Sequence, residues 1–514
     1  MHADAPRGLA GIARSDPDRV ALVLGDRRVT FGELDRAANT MAHALSPSVG
    51  APGDRVAVML GNSIEGFAAW HGAARLGALV VPVSTRLTDS EAAYIVGDSG
   101  AVALVHDGSA AARATCTRAG VPGIDVTASS LAQGTPEPPT EDYLGTPVTT
   151  MTYTSGTTGR PKGIARSAPP QPARVTPPSP FATFWGFLPD DVHIMCGPMY
   201  HTAPSAYALM SLGEGGTVVI MPRWDATECL RLMAAERVTT AQMVPANFIR
   251  ILEVRWQDYD RSSVRKVLHA AAPCPVAVKR RIMEVFPPDT VWEYYGASEG
   301  MASVISPQEW MRKPGSVGRP FPGVVVRILG PEGEELAPGE VGTIFISAFA
   351  GQRFRYHNAP DKTEQAWAGD SFTVGDLGWL DEDGYLFLAD RRTDLIISGG
   401  VNVYPAEIEA ALVEDDEVVD AAVIGLPDDR MGQKVHAVVE MRPGARRDAE
   451  ALVTRLAQRL ADFKIPRTVE FVDELPREPN GKVLKTRLRE QRMPASAGSV
   501  TEPATAGGGG ETGS

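Results

Sequence analysis

The chain has 514 residues, of which 43% are hydrophobic and 22% are charged, and its formal net charge is −13. A chain of this length and composition is expected to form two or more globular domains around large buried cores. Its acidic balance disfavours a broad nucleic-acid interface, which needs a basic face, and no apolar run is long enough to span a bilayer.

The N-terminus and the cysteines favour a cytoplasmic protein. The first residues lack the basic-then-apolar pattern of a secretion signal. The cysteines are scattered and form no CxxC pair; they are Cys116, Cys196, Cys229 and Cys274. We therefore expect a reduced, cytoplasmic protein with neither a disulfide framework nor a thiolate zinc site.

Strand-like and helix-like segments alternate in the first part of the chain. In chain order, we expect a buried strand at 54–60, an amphipathic helix at 63–77, a strand at 78–83, a helix and turn at 91–100, and a strand at 101–106. Strands that alternate with helices predict parallel sheets with helices on their faces.

The same alternation resumes further along the chain. Short β-rich runs occur at 216–222, 239–245 and 265–270, and a helical pattern covers 275–286. The later segments "GVVVRILG" and "GTIFISA" predict an antiparallel, barrel-like unit.

The composition of the chain changes near Asp390, where a smaller α+β pattern begins. We therefore divide the chain into a large N-terminal domain at 1–390, a small domain at 391–490 and a tail at 491–514. The small and polar residues of the tail predict disorder. A proline-dense segment at 167–180 predicts a surface loop with polyproline character.

One loop is rich in groups that bind phosphate. The sequence "TSGTTGRPKG" at 154–163 has three glycines, four hydroxyl side chains, one arginine and one lysine. Glycines let a backbone approach an anion closely, and the hydroxyls and Lys162 supply donors and positive charge. Taken alone, such a segment is more often a flexible linker, and its spacing is not that of the Walker motif.

Four motifs in order resemble the adenylate-forming superfamily of acyl-CoA synthetases, aryl-CoA ligases, luciferases and peptide-synthetase adenylation domains. Besides the loop at 154–163, they are "YYGASEG" at 294–300, the segment 373–409 and "LPREPNGKVLKTRLRE" at 475–490. The resemblance extends over nearly the whole chain before the tail. It implies an α/β fold with two doubly wound sheets and a small barrel in the large domain, followed by a small, mobile α+β domain.

The resemblance implies that a carboxylate attacks the α-phosphate of ATP, and that a thiol such as CoA then displaces AMP. It places the β- and γ-phosphates on Thr154, Ser155, Gly156, Thr157, Thr158, Gly159 and Lys162. Glu299 would bind Mg²⁺, a hard cation that prefers oxygen ligands, and Ser298 would donate to the α-phosphate or the substrate carboxylate. The alternatives are a surface carboxylate and a turn serine.

The resemblance also implies a site for adenosine. Small residues would line one face of the adenine, a tyrosine would cover the other face, and two residues would lie at the ring edge; these are Ala271, Ala272 and Pro273, then Tyr295, then Glu293 and Tyr294. The alternative is a plain strand-to-helix turn beside a core tyrosine. Asp376 would accept both ribose hydroxyls, since a carboxylate has two acceptor oxygens, and Arg391 would donate to the ribose. The alternatives are a turn aspartate and a solvated arginine.

Two further residues match catalytic positions of the superfamily. Lys482 in "NGKV" matches the lysine that bridges the substrate carboxylate and the α-phosphate, although a lone exposed lysine is normally solvated. His201 in "GPMYHTAP" matches a position near the acyl carbonyl, and its alternative is a satisfied core histidine.

Two positions bear on the thiol-transfer step. The superfamily commonly has Lys or Asp where this chain has Thr393, at the hinge about which the small domain is thought to rotate. Threonine is β-branched and stiffer at χ1, so we expect thiol transfer to be affected more than adenylation. Gly400 matches a position near the pantetheine tunnel, which favours CoA.

The sequence leaves the acid and the acceptor open. The aromatic segment 181–187 and Tyr207 could line an apolar acyl or aryl pocket, or belong to the core. We expect an AMP-forming acid–thiol ligase that uses ATP, Mg²⁺ and CoA, acts as a monomer or homodimer, and has no nucleic-acid partner. The alternatives are an adenylating ligase that loads a separate carrier protein through its phosphopantetheine or uses another nucleophile, and a nucleotide-binding protein with a retired site.

Overall fold

The computed structural model describes residues 6–126, 137–154, 160–166, 170–349, 353–391, 393–428, 430–478 and 481–493. Residues 155–159 of the predicted phosphate loop and the predicted tail from residue 494 onward lie outside these ranges. Across these ranges, no helix combines the length and the apolar character that a membrane crossing requires.

The β-strands extend from the N-terminal region to the last described segment. In chain order they are β1 (Val20–Leu24), β2 (Arg27–Thr30), β3 (Arg55–Met59), β4 (Leu79–Pro82), β5 (Ala101–His106), β6 (Gly123–Asp125), β7 (Thr152–Thr154), β8 (Lys162–Arg166), β9 (Val192–Met195), β10 (Thr217–Ile220), β11 (Thr240–Met243), β12 (Lys266–His269), β13 (Val291–Ala297), β14 (Gly300–Ile305), β15 (Ser316–Pro320), β16 (Val326–Leu329), β17 (Gly342–Ser347), β18 (Phe354–Tyr356), β19 (Trp367–Ala368), β20 (Ser371–Phe372), β21 (Asp376–Leu380), β22 (Leu386–Arg391), β23 (Ile396–Ser398), β24 (Val401–Val403), β25 (Val418–Asp428), β26 (Gly432–Met441) and β27 (Thr468–Val472).

Helices alternate with most of these strands. In chain order they are α1 (Gly8–Ser15), α2 (Phe31–Leu45), α3 (Ile64–Ala74), α4 (Asp89–Ser99), α5 (Ala110–Ala119), α6 (Pro180–Trp185), α7 (Thr202–Glu214), α8 (Ala226–Ala235), α9 (Pro245–Leu252), α10 (Val276–Val285), α11 (Pro307–Arg312), α12 (Pro360–Ala366), α13 (Pro405–Val413), α14 (Ala449–Leu456) and α15 (Lys485–Glu490), with short 3-10 helices at Trp256–Asp258 and Asp462–Lys464. Several helices begin at a polar cap, as α4 does, where Thr88 and Glu91 bond each other's backbone amides.

The largest sheet has a parallel centre. The strands β13, β12, β11, β9, β10 and β1 lie side by side in that order, and each neighbouring pair is parallel. β2 closes one edge as an antiparallel partner of β1. Apolar residues of these strands and of α8, α9 and α10 form one buried cluster. The predicted alternation of strands and helices is confirmed here.

The same sheet continues into an antiparallel, barrel-like unit. β14 pairs antiparallel with β13 and β15, and the path continues through β22, β21, β17, β20 and β19, with β16 beside β17. The segments "GVVVRILG" and "GTIFISA" contain β16 and β17, which pair antiparallel as predicted. Gly318 in β15 has φ 98°, and a Cβ there would lie 1.9 Å from the carbonyl oxygen of Val304, so only glycine fits between these strands.

Two smaller sheets complete the large domain. β4, β3, β5 and β6 form a parallel sheet that contains the first strands predicted from the sequence. β18, β8 and β7 form an antiparallel sheet. In that sheet Thr154 lies opposite Lys162, so the two ends of the predicted phosphate loop are adjacent.

The last described segments form a separate α+β unit with its own sheet. The strand order of this sheet is β24, β23, β26 and β25, and β27 pairs parallel with β26 on the side away from β25. Apolar residues of β25, β26, α13 and α14 form its core. β22, in the barrel-like unit, ends at Arg391, and β23 begins at Ile396. The exact division at residue 390 stays a prediction.

Candidate active site

A cavity of about 1970 Å³ lies where the large sheet, the barrel-like unit and the small domain meet. Nine of the site residues predicted from the sequence line it; they are Thr154, Lys162, His201, Ala271, Tyr294, Ser298, Glu299, Arg391 and Lys482. These residues come from six separate stretches of the chain, so the fold collects the predicted motifs around one space.

Glu299 and Lys162 both contact Tyr356 in this cavity. The Tyr356 hydroxyl donates a hydrogen bond to Glu299 Oε1 at 2.9 Å, and Lys162 Nζ lies 5.0 Å from the centre of the Tyr356 ring. Burial raises the pKa of Glu299, while the Tyr356 hydrogen bond opposes that shift. Burial, and secondly the charge of Lys362, lower the pKa of Lys162. Both charged groups are therefore partly desolvated.

A single carboxylate, Glu299, next to the predicted phosphate loop fits the way proteins usually bind Mg²⁺. They hold this ion through one or two carboxylates together with substrate phosphates. Within the described ranges, no group of three or more His, Cys, Asp or Glu residues could hold a metal ion by itself. Glu299 is the cavity carboxylate next to the end of the phosphate loop. The residues present therefore fit an ion that is shared with a polyphosphate.

Ser298 and His201 are held near the start of α7. The hydroxyls of Ser298 and Thr202 lie 3.0 Å apart. Asn62 accepts a hydrogen bond from the amide of Met199 at 2.7 Å and donates to the carbonyl of Gly197 at 3.0 Å, which fixes the segment before His201.

The imidazole of His201 is itself buried. Its Nε2 has no hydrogen-bond partner among the described residues, and burial lowers its pKa against the opposing charge of Glu478. His201 thus borders the cavity with a ring nitrogen that has no partner among the described residues.

The two predicted ribose residues lie opposite each other. Asp376 and Arg391 are register partners on β21 and β22, and Arg391 Nε lies 3.2 Å from Asp376 Oδ1. The Tyr295 hydroxyl donates to Asp376 Oδ2 at 2.7 Å. Within the described part of the chain, Asp376 Oδ1 accepts no hydrogen bond. Its neighbour is the Arg391 guanidinium, and Asp376 is not among the described residues that line the cavity, so its contact with a ribose stays a prediction.

The predicted adenine residues are only partly brought to the cavity. Ala271 and Tyr294 line it. Among the described residues, Ala272, Pro273 and Tyr295 do not belong to its lining. Ala271 has φ 78°, a left-handed conformation that is uncommon for a residue with a side chain.

Glu293 differs from its prediction. Its carboxylate accepts a hydrogen bond from the fully buried Lys279 at 2.5 Å and lies 3.6 Å from Nε2 of His269. A buried carboxylate needs such a partner, which the motif itself did not indicate. The structure therefore assigns Glu293 to a buried ion pair behind the cavity wall.

Lys482 follows a tight turn of the small domain. Glu478 N donates to Lys482 O at 2.7 Å, and Gly481 N donates to Glu478 O at 2.8 Å. Gly481 has φ 86°, and a Cβ there would lie 2.9 Å from Cγ2 of Val244 and 3.0 Å from Cβ of Ala246 in the large domain. Burial, and secondly the charge of Arg391, lower the pKa of Lys482.

The remaining predicted positions lie apart from the cavity or outside the described ranges. Thr393 is exposed in a turn in which Asp394 N donates to the Arg391 carbonyl at 2.9 Å. Gly400 is exposed at the turn between β23 and β24, with φ 79°. Residues 155–159 are not described, so their phosphate contacts stay a prediction.

The structure adds residues that sequence reasoning missed. Tyr356 and Thr202 touch Glu299 and Ser298 directly. Thr202 follows His201 in the same motif and could have been included on that ground. Tyr356 lies 57 residues from Glu299, in a segment without a motif, and no signal in one sequence connects the two.

Comparisons with known proteins agree with this geometry. The family model described as AMP-binding enzyme matches residues 9–350, and the model of the AMP-binding enzyme C-terminal domain matches residues 407–482. A long-chain-fatty-acid–CoA ligase of Mycobacterium tuberculosis is 33% identical over 485 residues, covering 91% of this chain and 93% of that protein. A fatty acid–[acyl-carrier-protein] ligase of Streptomyces coeruleorubidus is 34% identical over 504 residues, covering 95% and 96%.

The fold is also similar to a solved structure. The o-succinylbenzoate–CoA synthetase of Bacillus subtilis, in complex with an acyl-adenylate intermediate, superposes with a TM-score of 0.79 at 30% identity, covering 94% of this chain and 98% of that one. The predicted α/β fold of the adenylate-forming enzymes is thereby confirmed. Because a family model matches most of the chain and the relatives align over nearly all of it, the chain belongs to the family of AMP-binding enzymes.

Proposed function

We propose that the protein activates a carboxylic acid with ATP through an acyl-adenylate and then transfers the acyl group to CoA. The observation that carries the proposal is that Lys482, Arg391, Glu299 and Lys162 line one cavity, with Asp376 paired to Arg391 beside it. These groups can hold the ribose, the phosphates and the attacking carboxylate of a single ternary complex. The relatives that are CoA ligases support the same reaction.

In the first half-reaction, a carboxylate oxygen attacks the α-phosphorus of ATP, the bond to the β-phosphate oxygen breaks, and pyrophosphate leaves. Two anions must approach each other, so positive charge has to be present where the negative charge develops. Lys482 supplies it between the carboxylate and the α-phosphate, and Lys162 supplies it at the leaving phosphates. Mg²⁺ held by Glu299 and the phosphates would neutralise further charge.

In the second half-reaction, the thiol sulfur attacks the acyl carbon, the acyl–phosphate bond breaks and AMP leaves. His201 borders the cavity with an unpaired Nε2, which suits a contact with the acyl carbonyl or carboxylate. Thr393 and Gly400 belong to this step in our proposal, as the hinge and as a residue of the thiol tunnel.

An apolar acid is the substrate class that the cavity wall favours. Aromatic and apolar side chains of the predicted segment and its surroundings line it, namely Phe181, Trp185, Tyr207, Met210 and Phe321. Burying an apolar acyl or aryl tail against them contributes favourable free energy of about 25 cal/mol per Å². We infer a fatty, aryl or related acid.

A carrier protein is the second candidate acceptor. The relative from Streptomyces coeruleorubidus is a fatty acid–[acyl-carrier-protein] ligase and is as similar to this chain as the CoA ligases are. A carrier presents the same phosphopantetheine thiol as CoA, so the chemistry of the second step is unchanged.

Pyrophosphate release tests the proposed function. The purified protein is incubated with ATP, Mg²⁺ and each member of a panel of fatty, aryl and amino acids, with CoA, with a phosphopantetheinylated carrier protein, or with neither. Release that depends on the acid and accelerates with CoA, together with AMP and acyl-CoA, is the expected result. Acceleration by the carrier alone would replace CoA as acceptor, and nucleotide binding without release for any acid would contradict an enzymatic function.

We also infer that the protein works in the cytoplasm, as a monomer or homodimer. The cysteines are unpaired in the described part of the chain, as expected in a reducing compartment. The proposed domain division remains 1–390, 391–490 and a tail.

A further inference from the structure

Two buried carboxylates lie side by side on the small domain. Asp420 on β25 and Glu440 on β26 are direct register partners, and they are 8% and 3% exposed. Directly opposed residues of antiparallel strands have Cβ atoms only about 4.5–5.5 Å apart, and like charges in such pairs destabilise each other. Two negative charges in this position therefore need two cations.

Each carboxylate has its own arginine. Arg250 Nη1 donates to Glu440 Oε1 at 2.7 Å, and Arg477 donates to Asp420 Oδ2. We call these four residues the charge cluster. Arg250 lies on α9 of the large domain, whereas the other three belong to the small domain. The cluster is therefore electrically complete only while the two domains are docked as they are here.

The charge cluster also holds the segment that leads to Lys482. Glu440 Oε2 accepts a hydrogen bond from the amide of Leu475 at 3.2 Å, at the start of that segment. Arg477 Nη1 donates to the carbonyl of Gly481 at 2.7 Å, at its end. Burial, and secondly the charge of Arg250, lower the pKa of Arg477 to about 10. Glu440, whose charge Arg250 neutralises, therefore holds the start of this segment. Arg477, whose pKa the charge of Arg250 lowers, holds its end.

We propose that Arg250 is a positioning residue for Lys482, because it completes the charge cluster that fixes the Lys482 turn against the large domain. The proposal rests on the proposed function in one respect, namely that Lys482 serves the adenylation step. Without Arg250, the docked arrangement would bury Glu440 beside Asp420 with one cation for two carboxylates. A buried charge that loses its partner strongly disfavours the state that buries it. The docked arrangement then becomes less populated, and Lys482 leaves the cavity with its domain.

The variant Arg250→Ala tests the proposal through the two half-reactions. We expect acid-dependent pyrophosphate release to fall on the order of 30-fold or more, as for truncated partners of buried, hydrogen-bonded charge pairs. Thiol transfer from supplied acyl-adenylate to CoA should change less than about twofold, since it does not need Lys482 between two anions. Equal losses in both half-reactions, or unchanged pyrophosphate release, would overturn the proposal.

Two further variants separate positioning from simple loss of structure. Arg250→Lys keeps the positive charge and should restore part of the pyrophosphate release. In the double variant Arg250→Ala with Glu440→Gln, the glutamine removes the uncompensated charge but can still accept from Leu475, so release should exceed that of Arg250→Ala alone. Failure of both variants to recover any activity contradicts the charge argument. Arg231→Ala, which breaks an exposed ion pair with Glu228, is the matched control and should change neither half-reaction.

A measurement without substrates keeps this proposal separate from the proposed function. Hydrogen exchange of the Leu475 amide should be faster in Arg250→Ala than in the unmodified protein, while exchange within the core of β25 and β26 stays the same. Unchanged exchange at Leu475 would overturn the positioning role whatever reaction the protein catalyses. A protein that releases no pyrophosphate with any acid, yet shows the faster exchange, would contradict the proposed function and leave the positioning contact supported.

Discussion

The ammonium group of Lys482 lies in a crowded electrostatic environment. Arg391 lowers its pKa, after the larger effect of burial, while the carboxylates of Glu478, Asp394 and Asp376 act in the opposite direction. Arg391 in turn pairs with Asp376. The proposed catalytic lysine and the proposed ribose pair are therefore coupled through charge, and a nucleotide bound at that pair would also change the electrostatic field at Lys482.

This coupling predicts how adenylation depends on pH. The step needs the ammonium form of Lys482, and the lowered pKa means that this form is complete at low pH and is lost as the pH rises through that pKa. Acid-dependent pyrophosphate release should therefore decline on the alkaline side below the usual lysine pKa of about 10.4. The pH profile of kcat for pyrophosphate release measures this limb.

Two variants of Lys482 act as controls for the pH profile. Lys482→Arg carries a charge that does not titrate in this range, so its remaining activity should lack the alkaline decline. Lys482→Ala should lower the rate of pyrophosphate release about 10²–10³-fold at every pH, which is the usual loss for one electrostatic contact to a transition state. An alkaline limb that persists unchanged in Lys482→Arg would assign it to another group.

At the scale of secondary-structure elements, α10, β12 and β13 meet behind the side of the cavity that we propose for the nucleotide. Lys279 on α10 bonds Glu293 on β13, and His269 ends β12 next to the segment that contains Ala271. Lys279 also lies over the Trp310 ring, 4.8 Å from its centre. The motif around Tyr295 was sufficient to predict a strand and a turn here, but the partner of Glu293 depends on a helix packed behind it, which no local pattern encodes.

The buried ion pair gives a stability prediction. Lys279→Met should lower the free energy of unfolding by about 3–5 kcal/mol, because it leaves the Glu293 carboxylate buried without its cation. Burial already raises the pKa of Glu293, and removal of Lys279 raises it further. The variant should be least stable at high pH and regain stability as the pH falls and Glu293 takes up a proton.

Denaturant unfolding at acidic and at mildly alkaline pH measures this effect. The double variant Lys279→Met with Glu293→Met serves as the control, since replacing a whole buried pair by apolar residues is often neutral or stabilising. A stability loss in Lys279→Met that is the same at both pH values would show that the effect comes from packing rather than from charge.

At the scale of the whole molecule, the site depends on contacts between distant parts of the chain. The sequence motifs located Lys482, Glu299, Asp376 and Arg391, because each motif has its own spacing and order. They could not show that Arg250 reaches Glu440, since 190 residues separate the two and the contact exists only after both domains have folded and docked. For the same reason the resemblance predicted the architecture better than it predicted the wall of the cavity.

A second ion pair joins the domains and should matter less. Arg442 of the small domain bonds Glu253 of the large domain, and their side chains are 31% and 24% exposed. Arg250 is exposed to a similar extent, at 34%, but its partner Glu440 is only 4% exposed. A pair in which both members are partly in water contributes about 0.2–1 kcal/mol and is screened by salt. Arg442→Ala should therefore reduce pyrophosphate release less than about fivefold at low salt and have no effect at high salt.

Steady-state rates at low and high ionic strength, with Arg250→Ala measured beside Arg442→Ala, test this ranking. Losses of equal size in the two variants would contradict this ranking. They would mean that the burial of Glu440 in the charge cluster does not make the Arg250 contact more important than the Arg442 contact.

The contact at Gly481 sets a clearance between the domains. The turn meets Val244 and Ala246 so closely that there is no space for a single methyl group. Any part of a ligand that holds the two domains apart by the width of a methyl group would therefore also move Lys482 away from the cavity. We therefore expect acids that protrude between the domains to be adenylated poorly, even when the cavity itself could hold them. The fit between the two domains would then contribute to substrate selection together with the shape of the cavity.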